Sequence, residues 1–141
     1  MKIKVIPMNK ELEPFYGMEI KEAQKYYFEG ILINSQEDKY TYYYSNHGIN
    51  AEEGDLLLFQ YDNHIIASAI LKFNFKYRKD YMKGITGHLE LKENTIKTFK
   101  PISKEEMKKY IPSFKYFSRS PLEYSDKIVN VEALLKRLEI K

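Results

Sequence analysis

The chain has 141 residues, with no cysteine, no tryptophan and no long apolar run. Without cysteine, disulfides, zinc–thiolate sites and catalytic thiols are excluded. No apolar run approaches the roughly 20 residues that a membrane span needs, and residues 1–14 lack the apolar centre of a signal peptide. We therefore expect a cytoplasmic protein with no membrane partner.

Motifs of metal and cofactor chemistry are also scarce. The three histidines, His47, His64 and His88, are far apart and form no His-x-x-x-His pattern. Gly84-Ile85-Thr86-Gly87 is too short to indicate a glycine-rich phosphate loop, and no nucleophile motif is present. We expect no metal site and no cofactor, and the pattern favours a binding domain over an enzyme.

One enzymatic alternative stays open. Glu90-Leu91-Lys92 matches the Glu-x-Lys element of restriction-type nucleases, whose carboxylates hold Mg²⁺. Asp55, Asp62 or Asp80 would supply the preceding acid. The tripeptide is short, however, and Glu90 alternates with apolar neighbours as residues of a solvated sheet face do. We interpret Asp55 as a residue that organises a turn.

Charge is unevenly distributed along the chain. Residues 1–62 carry 6 Lys/Arg and 11 Asp/Glu, whereas residues 63–141 carry 17 and 9. The resulting net charges of −5 and +8 fit a polyanion that docks on the C-terminal half. A lysine-rich composition alone would also give this surface, because lysine outnumbers arginine 20 to 3.

Tyrosine is abundant, with 13 residues, and part of it is concentrated in residues 40–44. This segment predicts a strand that leads into a polar loop. Aromatic rings give a flat wall for a base, and an amide side chain pairs its donor and acceptor with a base edge. The predicted base pocket consists of Tyr43, Tyr44, Ser45, Asn46 and His47. Strand tyrosines also pack half-buried in ordinary sheets, which is the alternative for each of them.

Two later segments combine cations with aromatic rings. We predict phosphate contacts from Lys76, Arg78, Lys79 and Arg119, and base stacking on Tyr77 and Tyr116. Solvated loops commonly have the same composition, so the segments alone do not decide between binding and simple exposure.

The remaining pattern predicts alternating strands and helices. A first strand covers residues 1–8, and a helix begins at Glu19. Two strands, 56–59 and 65–71, flank a turn at Asp62-Asn63-His64. A second hairpin is expected for residues 88–91 and 95–99. Ser103 caps a short helix that Pro112 ends, residues 113–124 are irregular, and a final amphipathic helix presents Ile128, Val131, Leu134, Leu135 and Leu138 on one face.

The segment EEGDLLLFQYDNHIIASAILKF, residues 52–73, resembles the sheet-forming core of PUA-like domains, particularly the EVE and ASCH branches. Gly54-Asp55 matches the turn, Ala67-Ser68-Ala69 matches a strand beneath the pocket, and residues 43–46 match the aromatic-polar strand end. The later TIKTFKPISKEEMKKYIPSFKYFSRS resembles the same domains where they are attached to modification-dependent restriction endonucleases.

The resemblance implies an α+β fold over residues 1–141 as a single domain. The expected architecture is a small, mostly antiparallel β pseudo-barrel with two to three peripheral helices. The implied function is binding of DNA, modified or plain, or of RNA, with a flipped base in an aromatic cage. A nuclease or NTPase domain or subunit is the implied partner. A metal-dependent nuclease using Glu90 and Lys92, or a small-molecule-binding domain with an aromatic pocket, are the alternatives.

Overall fold

The computed structural model describes residues 1–11, 14–45, 49–78 and 84–141. The strands in this part of the chain are β1 (Lys2–Pro7), β2 (Thr41–Tyr44), β3 (Leu56–Tyr61), β4 (His64–Lys76), β5 (Gly87–Leu91), β6 (Lys97–Ile102) and β7 (Leu122–Ser125). Helix α1 consists of a turn at Ile20–Glu22, a π-helical middle at Ala23–Ile31 and a last turn at Leu32–Asn34. Helices α2 (Lys104–Tyr110) and α3 (Val131–Arg137) follow, with a 3-10 turn at Asp126–Ile128 between them.

The hairpin of β3 and β4 is the centre of the sheet, and the sequence predicted it. Asp62 and Asn63 have φ values of 50° and 59° and connect the paired residues Tyr61 and His64. A two-residue turn with positive φ at both positions matches the right-handed twist of the flanking strands, and Asp and Asn tolerate it. The apolar runs on both sides are buried, as expected.

Strand β4 is long enough to pair with two strands, one after the other, along the edge opposite β3. Its first half pairs with β6 and its second half pairs with β5. The predicted hairpin of residues 88–91 and 95–99 is therefore wrong, because β5 and β6 pair with β4 and not with each other. The connection between them crosses β4 at Ile70, whose C=O accepts from Lys92 N–H and whose N–H donates to Thr95 Oγ1.

The sheet curls but stays open. Its order is β2-β5-β4-β3-β1-β7, with β6 on the first half of β4, and β1 with β3 is the one parallel pair among the described strands. Within the described ranges, β2 pairs with β5 alone and β7 with β1 alone, so β2 keeps a free edge. The predicted α+β class, with a mostly antiparallel pseudo-barrel and peripheral helices, is confirmed. Strand β7 begins at Leu122, within the segment 113–124 that was expected to be irregular.

The helices cover the two faces of the sheet, with α1 on one face and α2 and α3 on the other. Ala23, Tyr27, Phe28 and Leu32 of α1 are buried against it. Ser103 accepts a hydrogen bond from Glu106 N–H at 3.2 Å, which confirms the predicted cap of α2. None of the helices that the structure describes has the length and apolar composition to cross a bilayer.

The apolar face of the last helix is narrower than predicted. Leu134 and Leu138 are buried in a core cluster with Phe114 and Met107. Ile128 and Leu135, however, are 52% and 42% exposed. Ile128 lies in the 3-10 turn before α3, so it does not follow the helical spacing that the prediction assumed.

Asp55 is a structural residue, as expected. Its carboxylate accepts hydrogen bonds from the backbone N–H of Lys2 at 3.0 Å and of Glu52 at 2.9 Å. It is 5% exposed and ties the first strand to the turn before β3, where Gly54 has φ +91°. Only glycine adopts that backbone angle without a steric cost.

Candidate functional site

A cavity of about 410 Å³ lies along the free edge of β2. All five residues 41–45 line the cavity, and no residue of β5 does. Because neighbouring side chains along a strand point to opposite faces, a lining by consecutive residues indicates that the cavity lies at the strand edge. The opposite wall comes from the segment after β1 and from α1. Its members are Pro7, Asn9, Pro14, Phe15, Tyr27 and Ile31, and Asp38, Gly84 and Ile85 complete the lining. The cavity thus lies between the free edge of β2 and the end of β1 with the segment that follows it.

Backbone groups of β2 face this gap. Leu91 N–H donates to Tyr40 C=O at 2.8 Å, and Thr86 N–H donates to Tyr44 C=O at 2.9 Å. Because hydrogen bonds alternate along an antiparallel pair, the intervening Tyr43 turns its N–H and C=O away from β5. Among the described residues these two groups have no backbone partner. They offer a donor and an acceptor at the cavity wall.

The floor of the cavity is aromatic. Tyr27 packs edge-on against Phe15, with ring centroids 4.9 Å apart, and against Tyr42 at 6.2 Å. Burial raises the pKa of Tyr27 well above its ordinary value, and the neighbouring Tyr42, Asp38 and Tyr43 add to this. Burial also raises the pKa of Tyr42. The floor therefore stays uncharged at neutral pH.

Asp38 and Tyr43 form a polar pair at the rim. The Tyr43 hydroxyl donates to Asp38 Oδ1 at 2.9 Å. Partial burial, and then this hydrogen bond, raises the pKa of Tyr43 to about 12, so the hydroxyl remains a neutral donor. Oδ2 of Asp38 has no hydrogen-bond partner among the described residues, which leaves one carboxylate oxygen as an acceptor for a ligand.

The structure brings three residues of the predicted base pocket to this cavity. Tyr43 is 36% exposed and Ser45 is exposed, whereas Tyr44 is 3% exposed. The Tyr44 hydroxyl donates to Asn74 Oδ1 at 2.9 Å, so this ring is fixed in the core. Asn46 and His47 lie outside the described residues. Tyr43 is consequently the ring of the pair with free surface for a ligand.

The predicted phosphate-binding residues lie in three places. Arg119 lines a second hollow of about 670 Å³, which shares Pro7 and Asn9 with the cavity. Arg78 is exposed and follows Tyr77, whose N–H donates to Thr86 C=O at 2.9 Å. Thr86 is next to Ile85, which lines the cavity. Arg119 therefore lies in a hollow that adjoins the cavity, and Arg78 follows a residue that is hydrogen-bonded to the neighbour of Ile85 in the cavity lining.

Lys76 is directed elsewhere, because its Nζ donates to Asn50 Oδ1 at 2.9 Å in a separate polar hollow with Lys2 and Lys4. Lys79 lies outside the described ranges. The predicted stacking residues are also separated: Tyr77 lies beside His88 on β5, while Tyr116 is 64% exposed in a hollow with Ser103 of α2.

The sequence interpretation missed several of the lining residues. In the sequence Asp38 belongs to the charged run Glu37-Asp38-Lys39, and Phe15 and Tyr27 belong to a loop and a helix distant in sequence from β2. A detectable sign was the aromatic content of both segments, Pro14-Phe15-Tyr16 and Tyr26-Tyr27-Phe28. Their meeting with β2 depends on the curl of the sheet, which no local pattern specifies.

The residues of the nuclease alternative that the structure describes are engaged with different neighbours, and Asp80 lies outside the described ranges. Glu90 is paired across strands with Thr41 and Phe73 on the outer face of the sheet, and Lys92 forms an ion pair with Glu53 at 3.7 Å. Asp55 is engaged by backbone amides. In the described part of the chain, no three His, Asp or Glu side chains are grouped in a way that would hold a metal ion.

No protein-family model and no curated protein matches the sequence. The structure does match solved ones. The crystal structure of ASCH from Zymomonas mobilis superposes with a TM-score of 0.56 at 12% identity, covering 98% of this chain and 96% of that chain.

The fold is similar to that of this ASCH protein. A serine-to-alanine variant of the Zymomonas mobilis protein superposes with a TM-score of 0.53, also at 12% identity, over 95% of this chain and 94% of that one. The ASCH-like fold agrees with the PUA-like resemblance of residues 52–73, because that segment forms the turn, β3 and the first part of β4.

Proposed function

We propose that this ASCH-like domain binds nucleic acid and holds one unpaired base in the cavity beside β2. The observation that carries the proposal is the cavity itself, which has an aromatic floor and a polar rim where β2 meets its loop. Its volume of about 410 Å³ falls in the usual range of small-ligand pockets, about 300–1,000 Å³.

The contacts available in the cavity suit a base. Tyr43 offers a partly exposed ring for stacking, and each base stacked on an aromatic ring contributes about 1–3 kcal/mol. Extrusion of a base from a duplex costs a few kcal/mol, and least where the base is already unpaired. One stack together with hydrogen bonds to the rim offsets this cost.

The polar groups favour a base that carries an amino group. Asp38 Oδ2 and the C=O of Tyr43 are acceptors, and carboxylates read the amino group of cytosine in known interfaces. The same carboxylate repels phosphate, so the sugar–phosphate backbone stays outside the cavity. Arg78 and Arg119 are the cations that we assign to phosphates.

We extend the proposal to the role expected from the sequence. The bound base is a flipped or modified base of DNA. The domain provides specificity to a nuclease or NTPase partner of a restriction system. RNA is the other polymer with the same chemistry. A nucleoside-sized ligand would also fit the cavity, and a binding experiment separates the three.

Fluorescence titration of labelled single-stranded DNA, its cytosine-methylated form and RNA tests the proposal. We expect affinity to fall linearly on a logarithmic scale between about 50 and 200 mM salt, because phosphate contacts release counterions. Arg78→Ala and Arg119→Ala should each reduce the slope by about 0.7. Lys108→Ala, on the exposed side of α2, is the control and should leave the slope unchanged.

Absence of binding to every oligonucleotide, or binding that ignores salt, would contradict the proposal. Salt-independent binding of a free nucleoside would instead assign the cavity to small molecules. A slope that falls equally in all three variants would show that the cations act through net charge and not through position.

A further inference from the structure

A second aromatic surface lies on the outer face of β2, β5 and β4, opposite to the core. Phe73 and Phe75 point outward from β4 and are 51% and 47% exposed. His88 of β5 is paired with Phe75 on one side and with Tyr43 of β2 on the other. We call Phe73, Phe75, His88 and Tyr43 the outer ring surface.

The rings hold each other in place. Phe75 and His88 are parallel, with centroids 5.4 Å apart and 6° between their planes. The Tyr77 hydroxyl and His88 Nδ1 are hydrogen-bonded at 2.7 Å, and Tyr43 meets His88 edge-on at 5.9 Å. Because these side chains are already held in place, a ligand that stacks on them restricts little further side-chain motion. This favours affinity.

The composition of the surface indicates what covers it. Two phenylalanines half-exposed on one sheet face form a patch of the kind that usually marks an interaction site. Of the charged side chains nearby, Lys76 is directed to Asn50, and Glu90 of β5 is paired with Phe73 on this face. Lys72 and Arg78 are exposed and have no ion-pair partner among the described residues. Aromatic rings with unpaired cations complement a polyanion that has aromatic bases.

The spacing of the rings favours an unpaired strand. The centroid of Phe75 lies 6.1 Å from that of Phe73 and 5.6 Å from that of Tyr77. Bases in a duplex strand rise by only about 3.4 Å, so neighbouring bases can occupy these rings only when they are separated from one another. An extended single strand satisfies this condition and a duplex does not.

We propose that the outer ring surface is a stacking platform for single-stranded nucleotides that adjoin the base in the cavity. The inference rests on the proposed function, because Tyr43 belongs to both sites: its hydroxyl meets Asp38 at the cavity rim and its ring meets His88 on the platform. The strand passes over the edge of β2, with one base inside the cavity and the next ones on Phe75 and Phe73.

The test compares a long and a short ligand. Phe73→Ala/Phe75→Ala should bind an oligonucleotide of about eight residues about 10- to 100-fold more weakly than the unmodified chain, since one or two stacks are lost. Its affinity for a nucleoside monophosphate, which occupies the cavity alone, should not change. Phe73→Tyr/Phe75→Tyr keeps the rings and should restore binding of the long ligand.

Ile128→Ala/Leu135→Ala removes two similarly exposed apolar side chains elsewhere and is the matched control. Thermal unfolding checks that all variants fold. An unchanged affinity of the phenylalanine-to-alanine variant for the long ligand, with Ser45→Trp at the cavity still weakening it, would overturn the platform and leave the cavity proposal standing.

Sedimentation equilibrium of the unmodified chain tests the other occupant. A dimer that the phenylalanine-to-alanine variant abolishes would assign the surface to a second copy and overturn the platform. A monomer in both cases supports it. If no oligonucleotide binds the unmodified chain at any salt concentration, the cavity proposal fails together with the platform.

Discussion

Replacing Gly87 by alanine is expected to lower the free energy of unfolding by about 1–3 kcal/mol or more. A Cβ atom at this position would lie 2.4 Å from the Tyr44 hydroxyl oxygen and 2.5 Å from the carbonyl oxygen of Phe75. Neither atom can move away freely. The Tyr44 hydroxyl is hydrogen-bonded to Asn74, and Phe75 is part of the β4 backbone.

Urea unfolding at equilibrium measures the effect. Gly30→Ala is the comparison, because an added Cβ there would meet the Lys25 carbonyl oxygen at 3.2 Å, a tight contact that a much smaller shift relieves than the one Gly87→Ala requires. Alanine is also favoured over glycine in a helix by roughly 0.5–1 kcal/mol. A midpoint for Gly87→Ala equal to that of the unmodified chain would mean that β2, β5 and β4 are not packed as described.

Ser45→Trp is expected to weaken oligonucleotide binding on the order of 10- to 100-fold, the equivalent of one lost base stack or more. Ser45 is exposed at the end of β2 and lines the cavity, so an indole there occupies the space that a base would take. Unfolding should be unaffected because no buried contact of Ser45 is replaced.

Ser113→Trp is the matched control for this variant. Ser113 is exposed in the turn that follows α2, on a segment that does not line the cavity. Equal affinities for both tryptophan variants would contradict the placement of the base, even if the chain still bound nucleic acid.

The parts of the fold that could be predicted are those specified by local chemistry. Asp62-Asn63 determines its own turn, Ser103 determines the start of α2 by accepting from Glu106 N–H, and the apolar runs on both sides of Asp62-Asn63 determine two strands. The division of β4 between β5 and β6 could not be predicted, because it depends on bulges in a 13-residue strand and on contacts at Ile70.

The candidate site, too, could be predicted only where the local sequence specifies it. The sequence indicated Tyr43 and Ser45 because an aromatic strand leads there into a polar loop. It could not separate Tyr43 from Tyr44, since the burial of each depends on which face of β2 meets the core. Nor could it bring Phe15, Tyr27 and Asp38 to the same cavity, which requires the sheet to curl.

The cationic residues show a similar limit. Their charge and exposure were evident from composition, but Arg119 reaches the neighbourhood of the cavity only because its hollow shares Pro7 and Asn9 with it. Tyr116 lies in the same basic aromatic segment and yet faces a different hollow beside α2. Sequence proximity therefore did not translate into spatial proximity.

Tryptophan fluorescence of Tyr43→Trp tests the central claim most directly, because the chain has no native tryptophan. If an unpaired base lies beside β2, adding single-stranded oligonucleotide should quench or shift the emission of this indole, with a midpoint that follows the salt dependence of binding. Tyr116→Trp, at a 64% exposed position beside α2, should remain unchanged. Quenching of Tyr116→Trp alone, or equal quenching of both, would contradict the claim.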